Sequence, residues 1–373
     1  MNQNTIAKIS NILLFMSAVC FLTFYLACER DFSPFKIIAP PDTTSHNFTW
    51  QIDTFGVISS YLLDVAIISE NDIWSVGEIY LKDSTGAVDN EPYGAIHWNG
   101  NKWTLMKVPY HDFGSTNLYP GPLRTVFAFN SSEVYATSSA NLLKWNGSSW
   151  DEKAFFMTGI PFDGQVRKMW GSSPSSIFCV GNSGAIYHYN GSSWQKLESG
   201  TTVDLQDVWG SPHGSVVWAC GYTDFVGTML LKITGTTVET VYEDNDNLFN
   251  IRPNSISGVL TGLWTNDPSK LYIITPAGMY IASANTNGEA QRIWTENNFL
   301  PCFPRALRGE SGNDLFTTGD FSFMAHYNGA SWHIYNNFAG RIRSRGIAIT
   351  RNLIILAGLD IQSNRATIIR GER

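Results

Sequence analysis

Short runs of β-branched and aromatic residues recur along the chain, apolar and polar positions alternating within them, most closed by glycine. They are DIWSVG (from Asp72), EVYATS (from Glu133), SIFCVG (from Ser176), VVWACG (from Val216), KLYIIT (from Lys270), DLFTTG (from Asp314) and LIILAG (from Leu353). The spacing of roughly 40 to 60 residues is that of propeller blades. About eight residues ahead of six of these runs lies a partner strand, marked by Phe127, Trp170, Trp209, Trp264, Arg308 and Ile347. Behind them come a third strand, such as GAIYHY, and a fourth that opens with Trp, as in SSWQKLE. The last two are joined by an Asn-Gly pair, which predicts a tight hairpin turn.

That hairpin is written four times: HWNGNKW from His97, KWNGSSW from Lys144, HYNGSSW from His188 and HYNGASW from His326. The unit is therefore a four-stranded antiparallel sheet. After LIILAG only one more strand remains, RATIIRG (Arg365 to Gly371), so the seventh unit lacks its fourth. NFTWQIDTFG (Asn47 to Gly56) matches the fourth strand GSSWQKLESG at its Trp and Gln. The first strand of the domain thus supplies the missing one and closes the ring. The fold class is all-β, a seven-bladed β-propeller closed by an N-terminal strand; radial closure leaves only short, protected edges.

The stretch WGSSPSSIFCVGNSGAIYHYNGSSW resembles the repeat of bacterial secreted and lipoprotein propellers, with W-G-S, V-G and N-G-x-x-W signatures. These are distantly similar to sialidase-type and photosystem assembly-factor propellers. The resemblance spans Asn47 to Arg373, is sharp in blades one to four and six, and is faint in the others. It implies a fold and leaves the function open, because propellers host many activities.

Asn11 to Ala27 is a continuous apolar stretch preceded by Lys8 and followed by Cys28. A charged start, an apolar core and a small residue at the cut describe an export signal. Cysteine just after the cut resembles the lipoprotein signal, in which that residue is acylated; Tyr25 departs from the usual Leu. The division expected is a signal over residues 1–27, a tether over 28–46 and the propeller over 47–373. The protein is expected to be exported and lipid-anchored to the outer membrane, on its periplasmic or cell-surface side. Cys28 is the anchor and the lipid its one membrane contact.

Charged residues make up 15% of the chain, aromatics 13%, and the net charge is −7. An acidic balance argues against nucleic acid as partner. Cys179, Cys220 and Cys302 are odd in number without metal spacing, and the first two read as small buried hydrophobes. His97, His188 and His326 share one repeat position, where blade two has Lys144; on separate spokes they cannot converge on a metal. A sialidase site would need an arginine cluster, a Tyr–Glu pair and an acid. N-G-S-S-W only echoes that family's Asp-box and lacks its Asp. EDNDN (Glu243 to Asn247) lacks the Gly and closing Glu of a calcium loop and reads as a solvated turn. No nucleophile motif, P-loop or dinucleotide fingerprint is present, so neither catalysis nor a cofactor is expected.

The repeat breaks in four long segments, residues 80–94, 109–122, 243–258 and 296–305. The last three join a fourth strand to the next first strand, which places them on one face around the channel mouth. Three residues ahead of the first-strand markers stand Arg124, Arg167, Gln206, Thr261, Arg305 and Ser344. They predict a polar, cationic collar at that mouth, joined by Tyr110, His111, Phe113 and Tyr119 from the adjoining loop. Stacking and bidentate hydrogen bonds there suit an anionic or sugar-like group. The function expected is that of a non-catalytic, monomeric binding or scaffolding module for a protein or glycan at the cell envelope. The alternatives are a carbohydrate-active hydrolase or lyase and an assembly factor for an envelope complex.

Overall fold

Seven four-stranded antiparallel sheets are arranged as the blades of a propeller in the computed structural model, which describes residues 43–111, 115–138, 141–154, 165–224, 227–245, 251–294, 299–338 and 340–373. Blades 1 to 6 are consecutive meanders over residues 61–106, 125–154, 166–197, 205–244, 262–292 and 304–334. Blade 7 takes Ile342–Thr350, Leu353–Asp360 and Arg365–Glu372, and its outer strand is Thr49–Phe55. That closing strand pairs in full register, Thr49 with Glu372 through Phe55 with Ala366. The compact unit spans Thr43 to Arg373. Thr43 to Phe48 already packs on blade 6: Thr44 Oγ1 donates to Asn313 O at 2.7 Å and Tyr335 Oη to the His46 carbonyl at 2.7 Å.

An apolar cluster fills each of the seven blade interfaces, so the core is a ring of seven small cores. The W-G pair explains part of this packing. A Cβ on Gly210 of blade 4 would enter the Trp170 ring of blade 3, so glycine lets that indole lie against the neighbouring backbone. The repeated hairpin is a four-residue loop rather than a two-residue turn, because Tyr189 pairs with Trp194 and Trp98 with Trp103. Asn190 Oδ1 accepts the amides of Ser192 and Ser193, and Gly191 takes φ 94°. The Asn side chain thus substitutes for backbone inside the loop.

The repeated His has a shared structural task. His97 stacks on Trp74 at 4.2 Å and bonds Asp72 at 2.8 Å; His188 stacks on Phe178 at 4.2 Å; His326 stacks on Phe316 at 5.5 Å and bonds Asp314 at 2.9 Å. Lys144 does the same over Tyr135, donating to Glu133 at 3.2 Å. Each ties the third strand to the aromatic and the first residue of the second, a cross-strand pair repeated by blade. Cys179 and Cys220 are fully buried among apolar neighbours, which push their thiols upward.

Candidate functional site

The first strand of blades 1, 3, 4, 6 and 7 carries a β-bulge, at Leu63, Arg167, Gln206, Arg305 and Arg345. In these same blades the second strand reaches Gly77, Gly181, Gly221, Gly319 or Gly358 opposite the bulge. A Cβ on Gly181 would collide with the carbonyl of Gln165, and each of the other four would meet the equivalent carbonyl. The closing glycine of the repeat therefore makes room for the bulge, and the bulge re-aims one side chain toward the channel. Blades 2 and 5 have no such glycine and place Arg124 and Thr261 at the equivalent site without one.

These seven positions line one cavity of about 180 Å³ at the channel mouth. Arg124, Arg167 and Arg305 share it with Gln206 and Thr261, as the repeat spacing predicts. Ser344 does not: it is buried, and Arg345 takes its place. The register explains the difference, since Ala348, not Ile347, is the counterpart of Arg308 in blade 7. Aromatic residues come from elsewhere than expected. Tyr222 and Phe303 line the cavity, and the Arg305 guanidinium lies 4.9 Å from the Phe303 ring centre.

Tyr110, His111 and Tyr119 stand away from it. Pro109–His111 and Leu118–Pro120 form a small hairpin of their own. Tyr110 is buried and donates to the Pro122 carbonyl at 3.1 Å. His111 Nδ1 bonds Glu152 at 2.6 Å on the outermost strand of blade 2, which holds the hairpin toward the rim of the disc. Phe113 and Cys28 lie outside the described residues. The acidic run is partly described, and there Asp244 pairs with Arg252 and accepts from Tyr242.

Two ion pairs cross the channel beneath the collar. Arg308 meets Asp207 with two parallel bonds of 2.8 Å, both side chains 5% exposed, and stacks 4.5 Å above Trp209. Burial works against the Arg308 charge, and the Asp207 carboxylate outweighs it, leaving the net shift upward. Lys168 Nζ lies 2.6 Å from Asp64, whose other oxygen accepts Thr125 Oγ1 at 2.6 Å and the Val126 amide at 3.1 Å. Partners come from blades 4 and 6 and from blades 1 and 3, so the plug braces the ring.

Of the charged side chains lining the cavity, six are cationic and two, Asp64 and Asp207, are anionic. Both carboxylates are already taken by the plug. Around the collar, Arg167 meets Asp204 at 2.9 Å and Gln206 at 2.8 Å, and Arg305 meets Asp320 at 2.7 Å. Arg345 makes no hydrogen bond or ion pair with any described residue. Its guanidinium is disfavoured by burial first and by Arg305 next, which lowers its pKa. An anion placed here would relieve that repulsion.

No family model matches the chain, and no curated protein is detectably similar to it in sequence. Solved structures are similar in shape. YCF48 bound to D1 peptide superposes with a TM-score of 0.61 at 14% identity, over 89% of this chain and 98% of that one. The WD40 propeller domain of Doa1 does so with 0.61 at 12%, over 88% and 98%. A catalytically inactive virginiamycin B lyase from Staphylococcus aureus, with quinupristin, reaches 0.57 at 12%, over 87% and 99%. These likenesses establish the propeller fold. They span a peptide-bound protein, a WD40 domain and a lyase.

Proposed function

We propose that this protein is a non-catalytic binding module whose collar holds a carboxylate-bearing segment of a protein partner. The charge imbalance of the cavity carries the reading: four arginines ring the mouth while both lining carboxylates are spent on the plug. Guanidinium groups recognise carboxylates bidentately, and Tyr222 and Phe303 offer an apolar wall beside them. The solved neighbour that holds a peptide favours a protein over a glycan. With Asp64 and Asp207 held in ion pairs, the described lining leaves no free carboxylate pair to offer a glycosidic bond. Export and acylation at Cys28 complete the proposal and place the module at the cell envelope.

Capture from native membranes tests it. Tagged full-length protein should pull down a defined partner, and Arg345→Ala should lose it without loss of stability, because that change breaks no described pair. A triple Arg124→Ala, Arg167→Ala, Arg305→Ala protein should lose it as well. Equal capture by wild type and variants would sink the reading; hydrolysis of an envelope glycan by wild type would replace it with an enzyme. Labelling with an alkyne fatty acid tests the anchor, and a Cys28→Ser protein should take up none.

A further inference from the structure

Beneath the plug the channel changes character. Counting from the bulge, Ala66, Phe127, Trp170, Trp209, Trp264, Arg308 and Ala348 are equivalent in the seven blades. Large side chains fill five of these places, and the two alanines fall in adjacent blades, 7 and 1. Their missing volume opens a second cavity of about 290 Å³, walled by Ile67, Ile349, Phe127 and Trp209. It lies on the far side of the plug from the collar, because its walls continue along the first strands past Lys168 and Arg308 to Glu310. The two residue steps of strand from Arg308 to Glu310 make it roughly 7 Å deep.

Its inner end is asymmetric. Lys168 and Arg308 line both cavities, whereas their partners Asp64 and Asp207 line only the collar side. An apolar funnel therefore terminates on two cations whose counter-charges face away. Lys168 Nζ has one acceptor among the described residues, Asp64, and keeps further N–H groups to donate. At the opening stands Glu310, which repels an anion there.

We infer that this funnel binds a medium-length alkyl chain ending in a carboxylate, inserted head first so that the carboxylate meets Lys168 and Arg308 and the chain runs out along the alanine side. The apolar wall supplies the burial, and the cations select the anionic tip. The site is separate from the collar, so its failure would leave the proposed partner site untouched.

Equilibrium dialysis of labelled decanoate against full-length protein in nanodiscs, with empty nanodiscs subtracted, reads the binding. Saturable uptake is expected, with decanol about tenfold weaker or worse. The double variant Ala66→Phe, Ala348→Phe restores the side chains that other blades carry and should cut decanoate affinity about tenfold or more with its unfolding temperature retained. Should that variant not fold, brominated ligand decides on the wild type: decanoate brominated beside its carboxylate should quench Trp209, measured against Trp209→Phe, more than decanoate brominated at the far end. No saturable uptake, equal uptake by the folded double variant, decanol binding as tightly, or stronger quenching from the far end would each overturn the inference.

Discussion

Single side chains in the channel carry more of the stability than their number suggests. Asp207→Ala would leave the Arg308 guanidinium buried and unpaired, at about 3–5 kcal/mol; replacing both by Leu and Met should recover most of that, since a buried pair and an apolar pair are close in net stability. Urea unfolding of the single and double variants measures the difference. A second residue-scale device joins the entering chain to blade 6. Asp314 holds the proton on His326 Nε2 at 2.9 Å, so His326 Nδ1 accepts from His46 Nδ1 at 2.8 Å, and His46 Nε2 accepts from Ser331 Oγ at 3.2 Å. Burial first, then His326, His333 and Arg373, lower the His46 pKa from 6.5 to about 4. The undocked imidazole therefore binds more protons between those values. Docking is complete above the undocked pKa and weakens as pH falls through the window from 6.5 to about 4. Limited proteolysis around His46 should accelerate at about pH 4.5 relative to about pH 7.5, and His46→Asn should flatten that dependence.

Elements explain why the collar exists at all. Bulge and glycine come as a pair in five blades, the glycine leaving room for the carbonyl beside the bulge. Gly181→Ala should cost about 1–3 kcal/mol through overpacking against the Gln165 carbonyl. It should also weaken partner capture by displacing Arg167, which thermal melts and pull-downs would show together. The closing strand is the other decisive element. Removing residues 43–56 would expose the whole edge of Arg365–Glu372. Size-exclusion chromatography should then show association in place of a discrete species, as unpaired edges template pairing with other chains.

At the scale of the molecule, a ring held by seven interface cores presents two cavities on opposite sides of an ionic plug. Capture at the collar rests on charge, so raising the salt from about 0.05 M to about 0.5 M should weaken it several-fold while leaving decanoate uptake in the funnel less affected. Four strands per blade, the blade count, ring closure and the places of Arg124, Arg167 and Arg305 were legible in the sequence, while the small hairpin over residues 109–120 was not. Period-2 alternation, turn residues and a fixed repeat are local signals, and a repeat transfers position from blade to blade. Arg345 was missed because blade 7 has no aromatic marker and its bulge shifts the count by one residue. Tyr222 and Phe303 were missed, and Tyr110 and His111 misplaced, because membership of a cavity depends on radial distance from the axis, which sequence spacing does not encode. The plug, formed between residues as far apart as Asp207 and Arg308, and the void left by two alanines on opposite ends of the chain were likewise decided only when the ring closed. Local backbone chemistry made the blades; tertiary closure chose which side chains would meet.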